Sequence, residues 1–451
     1  MPQQNQTNHR LSPGTLLIIA TVFHLLFTLS IFALARQGAF PATFDSNGIA
    51  ISFAPDGILL QPEAARLGET LRRGQLRDWF SANSPFHIKL YSISFALLAP
   101  LLGPNILSAE PVNLICYLAI LVIVFRLGAA TFNRRVGLIA ATTVALWPSL
   151  LLHTTQLLKD PQFVVGTLGF ILVILLLLSR TIPWSRALLL AAAGGLTAIL
   201  IWFVRDNMGH LTIAIAMLGL ALLIVRQFRE RRFHAANVLG LALIVLLSAG
   251  IVRFVPKFEA DASSRPELDQ TARANIKGKG PLTRVNTQIG IVRRRFIYQY
   301  PDAASNIDAH VSLATTAELI RYVPRAAVIG FLAPFPNMWV SDGSQVGSAG
   351  RRLSGLEMIG IYLVEVLALV GLLRWRRERA GPADQSEFTI WLLALVAALG
   401  MLALGLVVAN IGALYRLRYA YMILLIILAA EGAMKIFDWL SGRPGSRVSQ
   451  Y

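Results

Sequence analysis

The stretch Leu146–Gln162 reads LWPSLLLHTTQLLKDPQ and decides how this chain folds. A hydrophobic run that begins at Val136 leads into it, and a second hydrophobic run, Phe163–Leu178, follows it directly. The polar side chains between the two runs are those of His153, Thr154, Thr155, Gln156, Lys159 and Asp160. Two membrane spans therefore meet at a short polar loop. A lysine and an aspartate at that depth are costly unless they face water, each other or a ligand.

The polar residues of this loop also have a structural interpretation. Asp160 can cap the second helix, with Pro161 in its first turn, and capping does not exclude chemistry. His153 is a single histidine at a helix end, where a hydrogen-bonded structural role is the more common one. His153 and Gln156 are therefore secondary site candidates, and both interpretations of Asp160 stay open.

The composition indicates the class of protein. The chain has 451 residues, of which 55% are hydrophobic and 14% charged, and its mean hydropathy is +0.60. A soluble domain cannot bury that much apolar surface, which predicts an all-α polytopic membrane protein. A net charge of +17 is also found in nucleic-acid-binding proteins, but most arginines here lie in short joints between spans, as the positive-inside rule requires. We therefore expect no nucleic-acid partner. The single cysteine, Cys116, excludes an intrachain disulfide.

Ten hydrophobic runs predict ten spanning helices in a cell membrane. They are Pro13–Ala35, Pro111–Ala130, Val136–Leu152, Pro161–Leu178, Ala187–Val204, Met208–Val225, Ala235–Val255, Leu356–Leu373, Phe388–Ile411 and Tyr419–Met434. The shorter run Ile88–Gly103 contains Pro100, and we expect it to insert only partly. In that case all four arginine-rich joints lie on the same side as the N-terminus, which the positive-inside rule favours. Both termini are then predicted to be cytoplasmic.

This topology places the polar, non-repetitive segments together on the outer face. They are the first loop Arg36–His87, the loop around Asp160, the joint at Arg205, the long loop Pro256–Leu353 and the joint Asn410–Arg418. Any site is therefore expected outside, at the membrane boundary.

Two outer segments have the pattern of helices that lie on the membrane. In Ile58–Gly74 the apolar residues recur near a helical period, and Asp56 precedes them as a possible helix cap. Glu63, in the same segment, is a secondary candidate. Thr315–Trp339 is hydrophobic but interrupted by prolines, which predicts an interfacial helix rather than a span.

Several motifs appear in a characteristic order. Asp56 precedes GILLQPEAARLGETLRRG, FRLGAATFNRRVGLIAA joins two spans, and Asp160 follows the Pro-Ser of LWPSLLLHTTQLLKDPQ. Arg205 lies in WFVRDN, and the last span begins at LYRLRY. This order resembles the GT-C superfamily of membrane glycosyltransferases, in particular the branch similar to protein O-mannosyltransferases and the lipid A aminoarabinose transferase. The resemblance is good over residues 10–225 and thinner afterwards. Two features depart from the family pattern: no second acid follows Asp56, and Asn83–Pro85 replaces a Pro-Pro or Tyr-Pro.

The resemblance implies a GT-C-like bundle that transfers a sugar from a polyprenyl-phosphate donor to a lipid, glycan or protein acceptor outside the membrane. Asp56 would be the general base. Asp160 would be a second catalytic carboxylate that orients a cation or binds the acceptor or a metal ion. The donor phosphate would be bound by Lys159, Arg205, Arg416, Arg418 and Tyr415. No cofactor is implied beyond a possible divalent cation. The catalytic core would comprise residues 1–255, followed by the outer loop 256–353 and by the last spans and a cytoplasmic tail in 354–451.

Two other functions stay open. A transporter or polymerase of lipid-linked sugars would need charged residues within spans, and Glu365 and Arg126 are such residues. Glu365 would pair with an unknown partner or face a substrate cavity. A non-catalytic relative of the superfamily would tolerate replacement of Asp56 and Asp160.

Overall fold

The computed structural model describes residues 12–41, 43–51, 56–256, 280–299, 305–339, 347–377 and 386–442. In these ranges the regular structure is helical, and β pairing is confined to isolated bridges such as the one between Asn306 and Asn410. The chain is an all-α polytopic membrane protein. The polar stretch 257–279 and the predicted cytoplasmic tail from residue 443 onward lie outside the described residues.

The helices follow one another with short connections. They are α1 (Pro13–Arg36), α2 (Asp56–Arg72), α3 (Leu76–Ser81), α4 (Phe86–Leu102), α5 (Ile106–Thr131), α6 (Arg134–Ala145), α7 (Pro148–Thr154), α8 (Asp160–Ser179), α9 (Trp184–Val204), α10 (Gly209–Glu230), α11 (Ala235–Phe254), α12 (Pro281–Gln299), α13 (Thr316–Leu332), α14 (Gly347–Arg377), α15 (Ser386–Val407), α16 (Ile411–Leu417) and α17 (Tyr419–Leu440). Short 3₁₀ turns occur at Asp206–Met208 and Pro336–Met338.

The spans agree with the hydrophobic runs of the sequence. Among the described helices nine are long and apolar enough to cross a membrane, and a tenth span results if α6 and α7 are counted together. The helix α4 is shorter, as its sequence predicts. The chain is therefore a multi-pass membrane protein.

The predicted span Val136–Leu152 is bent in the middle. The helix α6 ends at Ala145, α7 begins at Pro148, and the two are bent by 67°. Proline has no N–H for the preceding turn and its ring clashes with that turn's carbonyl, so the helix cannot continue through it unbent. The bend turns α7 away from the axis of α6 and brings the polar residues that follow it to the start of α8.

Small residues let the spans pack closely. A side-chain carbon added at Gly371 of α14 would lie 2.7 Å from the carbonyl oxygen of Leu428 on α17. One added at Gly405 of α15 would clash directly with the Ala326 carbonyl on α13. Because lipid tails are as apolar as leucine, helices in a membrane associate mainly through such close packing.

The segments predicted to lie outside the membrane pack back onto this bundle. The helix α2 covers most of the predicted amphipathic segment and packs on α4. The helix α13, predicted within 315–339, starts with a capping box between Thr315 and Glu318 and packs on α15. Its depth in the membrane, and the three-part division of the chain, stay predictions.

Candidate active site

Two acidic and two basic side chains from distant parts of the chain form one ion-pair network, which we call the charge cluster. Arg416 Nη1 lies 2.7 Å from Asp56 Oδ2 and 3.5 Å from Asp160 Oδ2. Arg205 Nη2 lies 2.5 Å from the other oxygen of Asp160, Oδ1. Arg416 thus bridges the two carboxylates that the sequence singled out, and Arg205 holds the second one in place.

Each member of the charge cluster lies at the end of a helix. Asp56 and Asp160 are the first residues of α2 and α8, where the positive end of the helix dipole favours a carboxylate. Arg205 lies in the turn between α9 and the 3₁₀ turn that follows it. Arg416 is carried by the short helix α16, whose start is capped by the side chain of Asn410. The bend between α6 and α7 brings the loop before Asp160 close to these helix ends.

Burial separates the roles of the two carboxylates. The side chain of Asp160 is only 1% exposed, whereas that of Asp56 is 31% exposed. A buried carboxylate must be paired, and both oxygens of Asp160 face guanidinium groups. The residue preceding Asp160, not Asp160 itself, occupies the cap position, and no side chain caps this helix. Asp160 is therefore an electrostatic anchor rather than a helix cap, while Asp56 is accessible to a substrate.

The charge cluster has hydrogen-bond donors to spare. Among the described residues Lys159 forms no ion pair, and burial, helped by the charge of Arg205, lowers its pKa to about 8. The Nε atoms of Arg205 and Arg416 are buried and have no hydrogen-bond partner in the described part of the chain. With Lys159 protonated, three cations face two carboxylates, so the site has one positive charge in excess. Such a site attracts an anion.

His87 also belongs to this site, although the sequence did not indicate that it would. It lies in the first turn of α4, is buried, and is within the electrostatic reach of Lys159, Arg205 and both aspartates. Its Nδ1 has no hydrogen-bond partner among the described residues. A single histidine at the start of a hydrophobic run is not part of a recognisable motif, so the sequence alone could not predict its role.

Arg418 and Tyr415 differ from Arg416 in where they point. Arg418 is buried, donates to the carbonyl of Ala333, and lies 4.6 Å from the centre of the Tyr415 ring. The Tyr415 hydroxyl is buried beside Glu357. Residues two apart on a helix face different sides, so Arg416 reaches the charge cluster while Arg418 fixes the segment before α14. Sequence spacing alone could not choose between the two arginines.

The secondary candidates also fall in different places. Glu63 pairs with Arg66 on the outer side of α2. His153 lies next to the charge cluster, and its Nδ1 lies 3.0 Å from the Tyr419 hydroxyl. Gln156 is buried and bonded to the backbone of the first outer loop. Glu365 lies on α14, not in the charge cluster, and its buried Oε1 has no hydrogen-bond partner in the described ranges.

The residues present do not fit a divalent cation. In the described ranges no group of three or more His, Cys, Asp and Glu side chains could hold a metal ion. Asp56 and Asp160 already face the guanidinium groups of Arg205 and Arg416, which would repel a cation.

A small apolar cleft adjoins the charge cluster. It lies between α17 and the bent α6–α7 pair, has room for about one water molecule, and is lined by Val144, Trp147, Leu150, Tyr419, Met422, Ile423 and Ile426. Tyr419 links the cleft to the charge cluster, because it is one of the lining residues, its hydroxyl lies 3.0 Å from His153 Nδ1, and it interacts electrostatically with Arg416. The cationic site therefore borders on apolar, buried side chains.

The chain matches no protein-family model and no curated protein sequence. It is similar to the solved structure of the archaeal oligosaccharyltransferase AglB from Archaeoglobus fulgidus in complex with an inhibitory peptide and a dolichol-phosphate, at 12% identity and a TM-score of 0.47. That similarity covers 97% of this chain and 52% of AglB, so the chain spans about half the length of that protein. It is also similar to ArnT from Cupriavidus metallidurans, at 12% identity and a TM-score of 0.37, over 94% of this chain and 78% of ArnT. Both are membrane glycosyltransferases of the GT-C superfamily. At these TM-scores neither similarity decides what this chain does.

We predict that Arg205 stabilises the protein by compensating Asp160. Arg205→Ala leaves the buried Asp160 carboxylate with one distant partner, and breaking such a pair costs about 3–5 kcal/mol. The melting temperature in detergent should therefore fall clearly, and Asp160→Asn in the same chain should restore part of the loss. The control is Arg66→Ala, which breaks the exposed pair with Glu63 and should change the stability by about 1 kcal/mol or less. Equal effects of the two arginine variants would contradict the assignment of Asp160 as a buried charge.

Proposed function

We propose that this chain is an integral-membrane glycosyltransferase that moves a sugar from a polyprenyl-phosphate donor to a lipid, glycan or protein acceptor. The observation that supports the proposal is the charge cluster, in which an accessible carboxylate and spare cationic donors meet at the ends of apolar helices long enough to span a membrane. In this proposal the site opens to the outer face and both termini are cytoplasmic, which the arginine-rich joints between spans support.

The two parts of the donor would meet two different environments. Its isoprenoid chain would lie in the lipid against the apolar faces of the spans, out of water. Its phosphate would lie above Tyr419, where Lys159 and Arg416 can donate to its oxygens. A donor held by its lipid chain diffuses in the membrane and needs no nucleotide-binding domain.

Asp56 would be the general base. In the structure its Oδ2 accepts a hydrogen bond from Arg416 Nη1 at 2.7 Å, so this oxygen is occupied by the guanidinium. A phosphate that takes over the Arg416 guanidinium would release Asp56 toward the acceptor hydroxyl. Arg205 keeps Asp160 in place during this exchange, so Asp160 remains as the anchor of Arg416. The donor would thereby switch on its own base.

The reaction would be a single displacement. The acceptor hydroxyl oxygen attacks the anomeric carbon, the bond from that carbon to the phosphate oxygen breaks, and the bonding electrons leave with the polyprenyl phosphate. The proton of the hydroxyl goes to Asp56 and then to water. The extra negative charge on the leaving phosphate is stabilised by Arg416 and Lys159, which are present before the reaction begins. Attack opposite the leaving group inverts the configuration of the anomeric carbon.

We predict that Asp56→Asn lowers kcat by about 100-fold or more, the range typical of a general base, while the KM for the donor falls, because the donor phosphate no longer competes with Asp56 for Arg416. The measurement is transfer of labelled sugar from a panel of polyprenyl-phosphate donors in membranes, at matched expression. Asp78→Asn, on an exposed side chain of the same loop, is the control and should behave as wild type. A wild-type protein that consumes none of the donors would overturn the proposed function. An Asp56→Asn protein within about threefold of wild type would overturn only the role of Asp56.

We predict that the KM for the donor rises with pH through about 8, where Lys159 loses its proton. The lysine is charged below its pKa and attracts the phosphate there, and this attraction is lost above it. The phosphodiester of the donor keeps one charge across this range, so the donor itself does not titrate. Lys159→Arg stays charged and should have a flat KM between pH 7 and 9, on the order of one unit either side of the pKa. A rise in KM that persists in Lys159→Arg would contradict this role.

A further inference from the structure

The buried side chain of Gln156 joins the loop before Asp160 to the loop before Asp56. Its Oε1 accepts a hydrogen bond from the Ala50 N–H at 2.9 Å, and its Nε2 donates to the Gly48 carbonyl at 3.2 Å. The oxygen and the nitrogen of this side-chain amide thus both bond to one short stretch of backbone, much as a neighbouring β-strand would. We call this pair of hydrogen bonds the amide clamp.

The amide clamp acts on a strained residue. Ala50 is buried and has φ +112°, a value that is rare for any residue with a side chain. Such a conformation persists only where surrounding contacts hold it, and it tends to occur at functional sites. The bond from Gln156 goes to the N–H of this very residue.

The clamped stretch forms the support on which α2 begins. A side-chain carbon added at Gly57, next to Asp56, would lie 3.0 Å from Ile49 Cγ2 and 3.8 Å from the Leu157 carbonyl oxygen. The backbone at the start of α2 therefore packs closely on Ile49 and Leu157, the neighbours of Ala50 and Gln156. A shift of the clamped stretch must move Asp56 as well.

The other side of the clamp is fixed to the bundle. The Tyr91 hydroxyl on α4 lies 3.1 Å from the Gln156 carbonyl oxygen and 3.0 Å from that of Leu158. Tyr91 is itself fully buried, and its hydroxyl lies 2.7 Å from Asn113 Oδ1 on α5. The loop from Gln156 to Asp160 is thus fixed to α4 and α5. It therefore should stay in place if the first loop moves.

We propose that Gln156 is a positioning residue, which sets the distance between Asp56 and Asp160 by holding Ala50 in its strained conformation. The proposal rests on the proposed function, because the two carboxylates must share Arg416 before the donor arrives and must stay in register once it is bound. Gln156 itself touches neither substrate. Its contribution should therefore appear in kcat rather than in the binding of the donor.

The first arm of the test measures transfer kinetics in membranes. Gln156→Leu keeps the size of the side chain but removes both bonds of the clamp. We expect kcat to fall about 100-fold, the cost of a displacement near 1 Å, with the donor KM within about twofold of wild type. Adding Ala50→Gly should recover about tenfold of this loss, because glycine adopts positive φ without strain and needs no clamp. Gln227→Leu is the matched control, since it removes a buried amide that bonds the His234 carbonyl at the far end of α10 and should leave kcat unchanged.

The second arm measures hydrogen–deuterium exchange of residues 44–51 and does not depend on activity. Exchange should be about tenfold faster in Gln156→Leu than in wild type or Gln227→Leu. Unchanged exchange would overturn the amide clamp. Faster exchange with unchanged kcat, or no recovery on adding Ala50→Gly, would show that Gln156 only stabilises the fold and would overturn its positioning role. A wild-type protein that transfers no sugar would instead overturn the proposed function, and the exchange arm would still decide whether the clamp exists.

Discussion

A carboxylate that is almost completely buried imposes the arrangement of the whole site. Asp160 cannot stay ionised at the start of a membrane-spanning helix unless cations meet both of its oxygens, and Arg205 and Arg416 do so. Those arginines come from the end of α9 and from α16, so the charge requirement brings two distant joints to the start of α8. Asp56 pairs with the same Arg416 nitrogen, Nη1, that faces Asp160, which adds the first loop to the same point. One buried charge thus specifies how four separate segments meet.

The position of Arg416 depends in turn on the long outer loop. The stretch 305–307 pairs with 409–411, through the Ile307 N–H to the Ala409 carbonyl at 2.8 Å and the Ile411 N–H to the Ser305 carbonyl at 3.0 Å. The buried Arg293 of α12 holds this stretch, with Nη2 donating to the Ile307 carbonyl at 3.1 Å. Arg293 is only 2% exposed, so its side chain supports this stretch from inside the protein. The loop between α11 and α14 is therefore part of what positions the charge cluster, although it supplies no member of it.

The parts predictable from sequence are those governed by local pattern. Hydropathy was enough for nine spans and for the shorter α4. Motif order was enough to single out Asp56, Asp160, Arg205 and Arg416, which do meet. Contacts between distant segments had no such signal. Arg416 and Arg418 are two positions apart, and only the phase of α16 decides that the first faces the cluster. His87 lies near site residues that are distant in sequence, and Gln156 bonds to the distant Ala50. The sequence showed the proline at position 148 but not the 67° bend that occurs there. Asp160 was open to a capping interpretation until its burial and two guanidinium partners assigned it to the ion-pair network.

The proposed mechanism requires a phosphate and Asp56 to compete for the same guanidinium. The most direct measurement is the affinity of the purified protein for polyprenyl phosphate, for wild type, Asp56→Asn, Arg416→Gln and the double variant. Removing the competing carboxylate should tighten phosphate binding several-fold in Asp56→Asn, and the gain should vanish when Arg416 is already Gln. If Asp56→Asn weakens binding or leaves it unchanged, or if the gain persists without Arg416, then Arg416 is not exchanged between carboxylate and phosphate and this account of the site is wrong.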